Sequence, residues 1–154
     1  MLTMSRKADY ALVALAGLTD PDLAGSSARD LANELHLPLP ALRNILKRLT
    51  QHGFLTSTQG PKGGYHLARR PEQITLGQLI AAIDGPVQLA MCCPVPAGVE
   101  QPQCQLEASC RIKESVRQVH SGLVNYLDQV TLADIASARV GSALNPVGVI
   151  AENV

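Results

Sequence analysis

The chain has 154 residues, 46% of them hydrophobic but only 3% aromatic, with 13 basic and 13 acidic side chains. That length holds one sizeable core, or a small domain with a helical appendage, and excludes two large domains. Zero net charge gives no support of its own to nucleic-acid binding, and no apolar run approaches the roughly 18 residues of a membrane span.

From Ser5 to Leu18 the spacing of Ala8, Leu12, Leu15 and Leu18 predicts an amphipathic helix, ended by Pro21 and Gly25. Ser26 and Ser27 are good N-caps for a second helix from Ala28 to Leu35, with Ala28, Leu31, Ala32 and Leu35 at helical spacing. After a break at His36 to Leu39, Pro40 suits the first turn of a third helix that runs to about Gln51 and stops at Gly53. On it Leu42, Ile45, Leu46 and Leu49 share one face, while Arg43, Asn44, Lys47 and Arg48 point the other way. Phe54 to Thr58 and Tyr65 to Ala68 are β-prone, and Gly60-Pro61-Lys62-Gly63-Gly64 between them is a turn, which makes a hairpin with a basic, glycine-rich tip. Ile74 to Ile83 reads as a fourth helix ending at Asp84-Gly85-Pro86.

Two short helices with a tight connection, the second basic on its outer face, followed at once by a hairpin, form the pattern of a winged helix-turn-helix. The charge distribution agrees. No acidic residue lies between Glu34 and Glu72, whereas Arg43, Lys47, Arg48, Lys62, Arg69 and Arg70 do, together with His36, His52 and His66. The expected DNA contacts are Arg43, Asn44, Lys47 and Arg48 in the major groove and Gln59, Lys62, Gly63 and Arg69 at the wing. The partner is double-stranded operator DNA.

All four cysteines fall in a stretch with few apolar side chains: Cys92-Cys93, a proline-broken loop, then Cys104 and, after five residues, Cys110. Without a signal-peptide pattern the expected location is the cytoplasm, where clustered thiols point to metal or redox chemistry more than to disulfides. An iron-sulfur cluster or a metal would hold such a loop together. Ser109 is expected to cap a helix opening at Cys110 and running to Val130, with Ile112, Val116, Val119, Leu123, Leu127 and Val130 along one stripe. That stripe needs a partner helix, and because a helix-turn-helix usually reads two half-sites, a homodimer is expected in preference to packing within the chain. Thr131 caps one more helix to Ala138, and a disordered tail is expected over 139–154. The resulting fold class is mainly α: a winged-helix domain over 1–84 with a small β-hairpin wing, a cysteine-rich loop over 85–109, and a long C-terminal dimerisation helix with a short last helix over 110–138. An enzyme is not expected, since the chain has no Cys-x-x-Cys, no phosphate-binding glycine loop and no recognisable catalytic constellation around its histidines.

Several stretches resemble the IscR/NsrR family of Rrf-type bacterial transcription regulators: Ala8-Asp9-Tyr10-Ala11-Leu12, the wing from Gly60 to Arg69, Asp84-Gly85-Pro86, Cys104-x5-Cys110-Arg111-Ile112-Lys113, and Val130-Thr131-Leu132-Ala133-Asp134-Ile135. The resemblance covers roughly residues 2 to 138 and is nearest to the branch that regulates the Suf cluster-assembly operon. It implies a homodimeric winged-helix regulator, a repressor whose operator binding is controlled by a [2Fe-2S] or [4Fe-4S] cluster that senses cluster status, redox state or nitric oxide. Carried over by position, the cluster ligands are Cys92, with Cys93 as the alternate, Cys104 and Cys110. The stretch between Cys92 and Cys104 is longer than the family's usual spacing, which leaves the cluster type open. Lys113 stands where the cluster-assembly regulators place a ligand histidine, so a fourth ligand must come from elsewhere. Asp9 matches the carboxylate that the nitric-oxide-sensing branch contributes across the dimer, with His36, Glu107 and the spare cysteine as weaker candidates. Gln59 replaces an arginine common just before the wing glycine, leaving Lys62 and Arg69 to supply charge there. The alternative is the same regulator with a zinc site or a thiol switch in place of a cluster.

Overall fold

The computed structural model describes residues 4–60, 63–99, 104–106 and 108–137. Lys62, Glu107 and the expected tail over 139–154 lie outside the described residues. The elements run α1 (Arg6–Gly17), α2 (Ala28–Glu34), α3 (Leu39–Gln51), β1 (Leu55–Ser57), β2 (Tyr65–Leu67), a 3-10 turn (Pro71–Gln73), α4 (Leu76–Asp84), α5 (Lys113–Gln129) and α6 (Leu132–Ala136).

Side-chain caps set most helix starts. Ser5, Ser27, Thr75 and Thr131 each accept a hydrogen bond from the backbone N–H three residues ahead, satisfying one of the otherwise orphaned amides at a helix start. α3 has no such bond and starts instead with Pro40 in its first turn, where a missing N–H costs nothing. It ends as the sequence predicts. Gly53 takes φ 71°, so that its own N–H reaches the Thr50 carbonyl at 3.1 Å and the Phe54 N–H reaches that of Leu49 at 2.9 Å. A side chain at that φ would be strained, and glycine is the residue that avoids the strain.

The core gathers Ala8, Ala11 and Leu15 from α1, Leu31 from α2, Leu42, Ile45, Leu46 and Leu49 from α3, and Leu79 and Ile83 from α4. Each fully buried leucine contributes about 1.5–3 kcal/mol relative to exposure. The buried stripe of α1 differs from the predicted one: Ala8, Ala11, Ala14 and Leu15 are buried and Leu12 is only half-buried. Alanines let α1 come close to both α3 and α4, against which it packs.

The two strands pair antiparallel, with Leu55 opposite Leu67 and Ser57 opposite Tyr65. The hairpin is anchored from outside as well. The Gly25 N–H donates to the Tyr65 carbonyl at 2.9 Å and the Tyr65 N–H to the Ser26 carbonyl at 3.0 Å, so the α1–α2 connection runs beside β2. Gly64 lies against the Gly25 carbonyl, where a Cβ would collide with the backbone.

The C-terminal helix returns to the first domain. Thr131 pairs with Thr75 in an isolated antiparallel bridge, the Leu132 N–H donates to the Ile74 carbonyl at 2.8 Å, and buried Leu132 joins the core of α1–α4. α5 therefore leaves the winged part and its end is tied back to it.

One boundary departs from expectation. The long helix opens at Lys113, with Ile112 as N-cap and no side-chain cap, and Cys110 and Ser109 precede it in a series of turns. A start at Cys110 would put Arg111 and Lys113 together in the first turn against the helix dipole. A start at Lys113 leaves Arg111 outside and brings acidic Glu114 into that turn.

Candidate functional site

The connection from α2 to α3 turns at His36, whose φ is 54°, and the Leu37 N–H reaches back to the Ala32 carbonyl at 2.9 Å. The turn seats α2 across α3, so that burial of Leu42, Ile45, Leu46 and Leu49 leaves Arg43, Asn44, Lys47 and Arg48 all exposed on the opposite side. That is the arrangement of a recognition helix presenting a basic face. Arg48 is also tied at one end, its Nη2 donating to the Ala82 carbonyl of α4 at 3.2 Å.

At the wing, Gln59 is exposed and Gly63 is half-buried against the Thr58 carbonyl, where a Cβ would not fit. Arg69 is placed differently from a groove-reading side chain. Its guanidinium lies over the Phe54 ring at 4.6 Å and Nη1 donates to the Gln78 side chain at 3.3 Å, while Nε is buried with no partner. A cation over an aromatic face contributes about 0.5–1 kcal/mol, and here it pins the two ends of the hairpin together at the base of the wing, while the Gln78 bond ties that base to α4. Exposed Arg70 is the neighbouring basic side chain on the outside. No local pattern separates the two arginines; the partners that do so are Phe54 and Gln78, distant in sequence.

The cysteine segment leaves α4 through Gly85 and lies against α5. Arg117 of α5 donates from Nε to the Cys92 carbonyl at 2.7 Å, and the Gln88 side chain donates to the Cys93 carbonyl at 3.3 Å. Cys92 and Cys93 are buried, while Cys104 and Cys110 are half-buried. Burial pushes the Cys92 thiol above its ordinary value; the neighbouring Cys93 and Cys104 raise it further, against its own backbone amide and the Arg117 cation. Cys93 and Cys104 are thus each near enough to Cys92 for their charges to act on it. Arg117 was not legible as a site residue, because its partner carbonyl is 25 residues away.

The soft, clustered thiols suit a thiophilic metal or an iron-sulfur group in their chemistry. In geometry they are not assembled for one: among the described residues no three His, Cys, Asp or Glu side chains stand together as a set that could hold a metal ion. Asp9 is exposed in the first turn of α1, and that helix start is linked to the end of α4 by the Ser5 hydroxyl, which donates to the Asp84 carboxylate at 2.5 Å. Asp9 and His36 are both solvent-facing.

A recognition helix with a basic outer face, a two-stranded wing fastened at its base and a core shared by both define a winged helix-turn-helix DNA-binding regulator. The chain belongs to the Rrf2 family, described as an iron-dependent transcriptional regulator, whose pattern matches residues 4–138. It is 30% identical over 139 residues to an rrf2-like HTH-type transcriptional regulator of Rhodobacter capsulatus, covering 88% of this chain and 93% of that one. It is 25% identical over 137 residues to the HTH-type transcriptional regulator IscR of Escherichia coli, covering 88% and 81%. Among solved structures it is similar to CymR of Bacillus subtilis, a global cysteine regulator, with 28% identity, a TM-score of 0.59 and coverage of 90% of this chain and 98% of that one. These relatives are transcriptional regulators and not enzymes. No helix among the described residues is long and apolar enough to cross a membrane.

Proposed function

We propose that the chain is a homodimeric cytoplasmic regulator, a repressor that binds double-stranded operator DNA with an affinity set at the cysteine loop, through an iron-sulfur cluster held by Cys92, Cys104 and Cys110. The observation that carries this reading is the placement of Cys92. Its carbonyl is held by Arg117 of α5, and the segment it belongs to continues directly from α4, whose Ala82 carbonyl holds Arg48 of the recognition helix. A change of order in the loop therefore has a short mechanical route to the DNA-reading face. Arg43, Asn44, Lys47 and Arg48 enter the major groove, and Gln59, Lys62 and Gly63 follow the backbone at the wing. Pairing uses α5 and its N-cap, where Val119 and Ile112 are 63% and 64% exposed, and Asp9 of the partner subunit is the candidate fourth ligand.

When bound, such a cluster supplies one-electron redox chemistry and sensitivity to oxidants. Because a ligand shifts a conformational equilibrium only by its different affinity for the two states, the loop over 85–109 must rearrange to bring its third thiol in. Anaerobic purification tests this directly. The expected sample contains iron and sulfide and shows visible charge-transfer absorption that is lost in Cys92→Ser, Cys104→Ser and Cys110→Ser. A colourless, iron-free wild-type protein from an iron-replete anaerobic culture rules the cluster out.

A second reading, a thiol switch, is favoured by one observation: Cys93 and Cys104 lie near enough to Cys92 to act on its thiol, while among the described residues no three-ligand set for a metal is assembled. Here two thiols give up two electrons and two protons to a peroxide, which is reduced to water or alcohol as a disulfide forms. Similarity to a global cysteine regulator supports it. Mass spectrometry after peroxide treatment distinguishes the readings: a Cys92–Cys104 disulfide that changes DNA affinity in iron-free protein supports the switch.

A further inference from the structure

A cleft of about 420 Å³ opens between α4, the segment that follows it and α5. Its walls are mainly carbon, with Ala81, Val95 and Val124 from the three sides, and its polar lining includes Gln78, His120 and Asp128. None of the four cysteines lines it. It meets the predicted pairing stripe on α5 at Leu127 but faces away from Val119: His120 and Val119 are adjacent in sequence and so lie roughly 100° apart around the helix, with Val119 63% exposed and His120 only 4%.

His120 supplies the second observation. It is the buried polar side chain among the described residues, and its Nδ1 is enclosed without a hydrogen-bond partner. A buried imidazole nitrogen with no partner is unfavourable, and native structures keep few such groups outside functional sites. About two turns further along α5 stands Asp128, whose carboxylate approaches α4 so closely that a Cβ at Gly77 would collide with it. Gln78 and Ala81 face the cleft from a helix whose other contacts hold Arg69, through the Gln78 side chain at 3.3 Å, and Arg48, through the Ala82 carbonyl at 3.2 Å.

We propose that this cleft is a binding site for a small aromatic molecule, neutral or cationic, that carries an N–H or O–H donor and uses the unpartnered His120 Nδ1 as its polar partner. The size and apolar walls match those of small-molecule sites, which combine a hydrocarbon lining with a few fixed polar groups. Asp128 is the formally charged group in the lining, so an anion is disfavoured. Occupancy presses on Gln78, which holds the base of the wing. No cysteine lines the site, although Val95 lies two residues beyond Cys93 on the same segment.

Tryptophan is absent from the chain, so the fluorescence of an indole ligand can be read without protein background. Full-length protein is titrated with indole, tryptamine and indole-3-acetate. Saturable binding of indole or tryptamine at one site per chain is expected, with indole-3-acetate at least tenfold weaker. Val124→Phe fills the cleft from α5 and Val95→Phe fills it from the loop, so that one variant remains informative if the other unfolds; each is expected to weaken tryptamine at least tenfold. His120→Leu is expected to weaken tryptamine about tenfold without lowering Tm, whereas a histidine with a purely structural role would lower Tm on removal. No saturable binding of indole or tryptamine up to millimolar concentration overturns the proposal. So does equal affinity in both phenylalanine variants, or indole-3-acetate binding as tightly as tryptamine.

Discussion

The recognition helix α3 and the segment 85–99 are of comparable length, yet they are held by different forces. In α3 four side chains at helical spacing, Leu42, Ile45, Leu46 and Leu49, are buried in a core shared with three other helices. In the cysteine segment Cys92 and Cys93 are buried outside that core, and hydrogen bonds run from Gln88 and Arg117 to the carbonyls of Cys93 and Cys92. A helix packed into the main core cannot shift without opening a cavity there, whereas a segment outside that core can exchange polar contacts with less loss. The contrast assigns rigidity to the part that meets DNA and adjustability to the part that carries the thiols.

Leu46→Ala is the strongest way to test the rigid side. A fully buried leucine truncated in a packed core costs about 2–5 kcal/mol, read as a drop in the denaturant midpoint. Cys104→Ala, made for comparison in the metal-free protein, is expected to leave that midpoint nearly unchanged; a loss as large as that of Leu46→Ala would erase the distinction between the two regions. On the adjustable side, Arg117→Met removes a charged donor from the Cys92 carbonyl, a bond worth about 1.5–3 kcal/mol. Faster hydrogen exchange and proteolysis confined to 85–99 are expected, without change in α1–α3.

Lys47→Ala tests whether the exposed face of α3 touches phosphate. The expected result is weaker binding to every duplex and a salt dependence reduced by about one unit of slope, with stability unchanged. The smallest effect is at the tie between α6 and the winged part. Thr131→Ala removes an N-cap and should cost about 1 kcal/mol. The Thr131 hydroxyl and then its amide hold the Asp134 carboxyl below its ordinary value. A depressed folded pKa means that this stabilisation is fully present above about pH 4 and is lost as pH falls through the folded pKa. Asp134→Asn should therefore flatten the acid limb of the stability profile and leave the neutral limb parallel to wild type.

The winged fold was legible because its signals are local. Ser27, Pro40, Gly53 and the hairpin glycines act within a few residues of themselves, and the period of Leu42, Ile45, Leu46 and Leu49 fixes which side of α3 carries Arg43 and Lys47. The start of α5 was misplaced because Ser109 is a fair cap in isolation, while the charges of Arg111, Lys113 and Glu114 favour a later start. The charge of Arg69 is visible in sequence, whereas its position over Phe54 is not.

By itself the sequence determined the starts of α1, α2, α3 and α6, the exposed basic face of α3, the wing and the family, since each depends on periodicity, capping or a contiguous motif. Tertiary structure alone decided that Arg117 holds the Cys92 carbonyl, that Leu132 enters the first domain's core, that Arg69 braces the wing and that His120 is enclosed beside a cleft. Those outcomes depend on chain segments far apart in sequence coming together, and the free energy that selects them belongs to the packed surfaces rather than to any one stretch of residues.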